Sequence, residues 1–85
     1  MSVDRDRVIR EGHEAATLKD NTLLTAILAE IEQDGVETAV SAKITDHETR
    51  AAAMAEIRAA RSLASKLTIR IAMATDASKR ARGLS

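Results

Sequence analysis

From Asp46 to Asp76 no glycine or proline interrupts the chain, and within that stretch Ala53, Ile57, Ala60, Ala64, Leu67, Ile71 and Ala74 stand alternately four and three residues apart. Apolar side chains at that spacing form the heptad seam of a coiled coil, so this part of the chain must be one long helix with a partner along its length. At 1.5 Å per residue it extends about 45 Å. Four of the seven seam residues are alanine, which lets a partner axis approach near the short end of the usual range of about 8–10 Å. Met54 and Leu63 widen the stripe, while Ile69 and Met73 lie on another face. One helix cannot cover all of these.

The fold class follows from what is missing. The 85 residues include no Phe, Tyr, Trp, Pro or Cys, so the usual strand-building aromatics are absent and strong helix formers fill the chain. The expectation is an all-α protein with residues 1–85 as a single helical domain. A monomer of this size buries only about 60% of its unfolded surface. Its core positions fall to Leu, Ile, Val, Met and Ala, and the result is thin.

Local punctuation divides the chain into three helices, over residues 3–19, 22–42 and 46–76, with a basic tail at 77–85. Gly12 weakens the first by roughly 1 kcal/mol. Asp20 and Asn21 offer a bend or short break and a cap before Thr22, with one continuous helix as the alternative, and Leu24, Ile27, Leu28 and Ile31 follow at helical spacing. Gly35 either ends the second helix early or marks a close helix contact, with Val36 and Val40 beyond it. Thr45-Asp46-His47-Glu48 fits a capping box in which the Thr45 hydroxyl serves the Glu48 amide. The tail has little to bury; it either extends the helix or stays loose.

Charge is strongly polarised although the formal net charge is zero. Residues 1–48 carry eleven acids against five bases, and residues 49–85 carry eight bases against two acids, a split of −6 and +6. Such a chain is electrostatically complementary to itself, by folding back or by pairing with another copy. A tight turn near Lys43-Ile44-Thr45 makes the second and third helices a long antiparallel hairpin in which Glu30 meets Arg58 and Glu37 meets Arg50. Exposed pairs contribute only about 0–1 kcal/mol each, so they select a register and hydrophobic burial holds it. The apolar faces exceed one contact. Oligomerisation into a four-helix bundle, or docking on a larger assembly, completes the burial.

Chemistry-bearing patterns are weak. His13-Glu14 and His47-Glu48 lack the spacing of helical metal sites, and Glu30, Asp34 and Glu37 have no base, nucleophile or phosphate loop beside them. Met54 and Met73 serve as core fillers. The reading is non-enzymatic, with no catalytic residue, metal or cofactor. The basic residues Arg58, Arg61, Lys66, Arg70, Lys79, Arg80 and Arg82 support an alternative, a DNA-binding accessory for packaging or regulation, since cations on phosphates give salt-dependent affinity. Against it, no aromatic is present for base stacking. No apolar run approaches the roughly 20 residues needed to span a bilayer, and the amino terminus lacks a signal-peptide core. The expected locations are the host-cell cytoplasm or a virion, without membrane association.

Leu18-Lys19-Asp20-Asn21-Thr22-Leu23-Leu24, followed by an acidic helix, a short link containing Asp46, and Arg50 opening a long helix, resembles small two-helix proteins of unassigned role encoded among the morphogenesis genes of tailed phages and prophages. The likeness spans about residues 5–75. It implies a virion component or assembly accessory and supplies no site residues. The residues expected at the interface are Leu24, Ile27, Leu28 and Ile31 together with the seam from Ala53 to Ala74. On that reading Ala64→Glu should destabilise severely and Arg58→Glu by less than about 1 kcal/mol.

Overall fold

The computed structural model describes residues 2–83, and the side chains of residues 4–83. Three α-helices follow one another, α1 (Ser2–Lys19), α2 (Thr22–Ser41) and α3 (His47–Gly83), with no strand among the described residues. They form two compact units. One comprises Met1–Asn21 and Ala64–Ser85, the other Thr22–Leu63.

The helix ends have local causes. At the close of α1 the Asp20 amide donates to the Ala16 carbonyl (3.0 Å) and the Asn21 amide to the Leu18 carbonyl (3.1 Å), a tightened last turn. Between α2 and α3 the Asp46 amide closes a turn onto the Lys43 carbonyl at 2.9 Å. Arg50 also donates to the carbonyls of Lys43 (2.9 Å) and Ala42 (3.4 Å), satisfying oxygen atoms that the end of α2 leaves without helical partners. Arg50 is thereby a clamp on the connection rather than the partner of Glu37.

Asp46, not Thr45, caps α3. Its carboxylate accepts from the Thr49 amide (3.1 Å) and from the Thr49 hydroxyl (2.7 Å), so the box is shifted one residue along the chain. These two bonds, the hydroxyl first, hold the Asp46 carboxyl below the ordinary aspartate range; desolvation opposes the shift and Arg50 adds to it. An unfolded aspartate titrates at about pH 3.9. With the folded value lower, the cap's contribution is complete above that pH and is lost as the pH falls through the folded value. Acid titration followed by circular dichroism should therefore show Asp46→Asn losing less stability than the native chain below about pH 4. Parallel acid limbs for the two proteins would assign the sensitivity to another carboxylate.

The third helix runs beyond residue 76 through Gly83, so of the two possibilities for the tail the helical extension is the one found. Ala74 is buried and Ala77, Ser78 and Ala81 are partly buried. Small side chains at helical spacing continue the packed face, and an Arg80–Asp76 ion pair (2.8 Å) spans one turn. The residues assigned to a basic tail are helical as far as Gly83.

Candidate helix-packing interface

In the unit formed by α2 and the first half of α3, Ala53, Ile57 and Ala60 are buried, at 4–5% exposure. Facing them, Leu24, Leu28 and Ile31 are half-buried and Gly35 is buried, whereas Ile27 is exposed. Gly35 decides the closeness of this contact. A Cβ built there would lie 2.6 Å from Ile57 Cγ1 and 3.1 Å from the Ala53 carbonyl oxygen, so only a residue without a side chain lets α2 sit this near α3. Its backbone has no positive φ. Space, not conformation, calls for the glycine.

The unit formed by α1 and the second half of α3 repeats the device with other residues. Ala15 and Ala74 are buried, Leu67 and Ile71 half-buried, and a Cβ on Gly12 would overlap the Ala74 methyl and lie 3.0 Å from the Arg70 carbonyl oxygen. Both mid-helix glycines are therefore close-approach points. The signal was present in the chain: Gly35 stands four residues after Ile31, and Gly12 four after Val8 and three before Ala15, each continuing an apolar row.

Ala64 departs from the expected seam, being exposed. Lys19, the last residue of α1, donates from Nζ to Thr68 Oγ1 at 3.3 Å, so the covering helix ends one turn short of Ala64. A glutamate at Ala64 would reach water directly, so Ala64→Glu lacks the severe effect that a covered seam implies.

The seven cations of the alternative reading are distributed over both units. Arg61 pairs with Glu32 (2.6 Å), Arg70 with Glu11 (3.6 Å) and Arg80 with Asp76 (2.8 Å), all on exposed side chains. The Arg61–Glu32 pair stands where Arg58–Glu30 was expected, one turn away, because long side chains reach diagonally along a helix flank. Arg58, Lys66 and Lys79 are exposed. Arg82 borders a groove with Gly12, His13, Ile71 and Ala74. His47 is also exposed.

What these helices leave uncovered is more telling than what they bury. Among the described residues the buried apolar set is Ala15, Ala53, Ile57, Ala60 and Ala74, with no large side chain fully enclosed. Outside it, Ile44 is 87% exposed, Val40 79% and Leu23 68%, and Leu18, Ile27, Val36, Met54, Leu63, Ile69 and Met73 are each above 40%. In the α2-containing unit an open apolar groove of about 370 Å³ is lined by Leu28, Ile31, Ala59, Ala60 and Leu63, with Glu56 at its edge. Among the described residues no helix is long and apolar enough to cross a membrane. No protein-family model, curated protein or solved structure matches the chain significantly.

Proposed function

We propose that this chain is a non-enzymatic structural protein that acts by helix–helix packing. Its helices, paired as an antiparallel hairpin, complete their burial as part of a four-helix bundle, with another copy or on a larger assembly. A virion component or assembly accessory of tailed phages is the setting suggested by the sequence resemblance.

The observation that carries the reading is the imbalance, among the described residues, between a small alanine-rich core and ten large apolar side chains in contact with water. Each buried Leu, Ile, Val or Met contributes about 1.5–3 kcal/mol. A second layer of helix offers these side chains that gain, which two-helix packing leaves unrealised. Sedimentation equilibrium at about 10–100 µM, the range of moderate protein affinities, should give a mass above that of the 9.1 kDa chain. A folded monomer throughout that range would leave only docking on a different protein.

A further inference from the structure

We propose that two copies pair through unlike units, the α2-containing unit of one against the α1-containing unit of the other. This deepens the self-association reading above and rests on it. Folding does not cancel the charge polarity of the chain. The unit of residues 22–63 holds seven acids (Glu30, Glu32, Asp34, Glu37, Asp46, Glu48, Glu56) against four bases, a net −3; the unit of residues 1–21 and 64–85 holds nine bases against six acids, a net +3.

Each unit is a pair of helices with apolar surface left open. In the acidic unit the groove along Leu28, Ile31, Ala59 and Leu63, which Glu56 also lines, is the opening; in the basic unit Ile69 and Met73 are exposed, and a second groove beside Val8 and Met73 is lined by Arg5 and Arg80 together with Asp4 and Asp76, so the positive field belongs to the unit as a whole rather than to that groove. Pairing like units would set −3 against −3 and +3 against +3, which opposes association. Pairing unlike units joins opposite fields. Apolar burial supplies the affinity and charge selects the orientation.

Two charge-reversed proteins test this on exposed positions. Glu30→Lys, Asp34→Lys and Glu37→Lys together change the acidic unit from −3 to +3, giving a chain positive in both units. Lys66→Glu, Lys79→Glu and Arg80→Glu change the basic unit from +3 to −3, giving a chain negative in both. Sedimentation at about 50 mM salt, where screening is weak, should show each variant associating at least about tenfold more weakly than the native chain, and their equimolar mixture recovering native-like association. Circular dichroism establishes that each remains helical. Should either reversal disturb folding, the milder Glu30→Gln, Asp34→Asn and Glu37→Gln set should still weaken association, by a smaller factor. Variants that self-associate as well as the native chain, or a mixture that gains nothing, would overturn the pairing of unlike units while self-association stood. A native chain that stays monomeric would instead remove the reading on which the pairing rests.

Discussion

Glutamate in place of Ala60 should cost the fold about 3 kcal/mol or more, enough to remove most of the stability of a domain this small. Ala60 is 5% exposed and lies beside Leu28, Ile31, Ala59 and Leu63. A carboxylate there must either lose its hydration among aliphatic groups or force α2 away from α3 to reach water, and both routes are expensive. Glu56, one turn earlier on the same side, adds like-charge repulsion. Ala64→Glu is the matched control: the same substitution on the same helix, one turn later at an exposed position, should shift stability by less than about 1 kcal/mol. Urea unfolding of both variants, followed by helicity, makes the comparison. Equal losses would mean that Ala64 is covered as Ala60 is, and would restore the uninterrupted seam.

Enlarging Gly12 should be the most damaging change in α1. Glycine inside a helix is ordinarily a weakness, and alanine gains about 1 kcal/mol in propensity. Here the gain is outweighed. The new Cβ would collide with the Ala74 methyl and crowd the Arg70 carbonyl, neither of which is the far end of a flexible side chain. Overpacking of this kind costs about 1–3 kcal/mol, so Gly12→Ala is expected to destabilise slightly and Gly12→Leu by about 3 kcal/mol. Ala74→Gly removes the obstructing methyl and should recover part of the loss in a double variant, a coupling that independent sites do not show. Gly35→Ala should also destabilise, by less than Gly12→Ala, because its Cβ would press on Cγ1 of the buried, β-branched Ile57 and on the Ala53 carbonyl oxygen, neither of which moves aside freely. Gly83→Ala has nothing within 4 Å and should be harmless. Melting temperatures in any other order would sever the link between these glycines and close helix approach.

Much of the secondary structure was legible from residue types. The Asp20-Asn21 break places α2 at Thr22 as expected, because a break with an N-cap residue is a local event. The cap of α3 lies one residue beyond the Thr45 box for an equally local reason: Thr45 and Asp46 are both good N-cap residues at adjacent positions, and spacing alone does not choose between them. The sequence leaves the end of α3 open because the tail has few large apolar side chains to bury, while Ala74, Ala77 and Ala81 keep a small-residue face along the helix through Gly83.

Periodicity and composition alone determined that the chain is helical, where its helices break and which row of α3 is apolar, since these depend on the conformational preferences and spacing of neighbouring residues. Only the three-dimensional arrangement decided which members of that row are covered, that Gly12 and Gly35 are points of closest approach, and that Arg61 reaches Glu32 rather than Arg58 reaching Glu30. Those outcomes depend on where a covering helix ends and how near it lies, distances between segments far apart in the chain that no local pattern encodes.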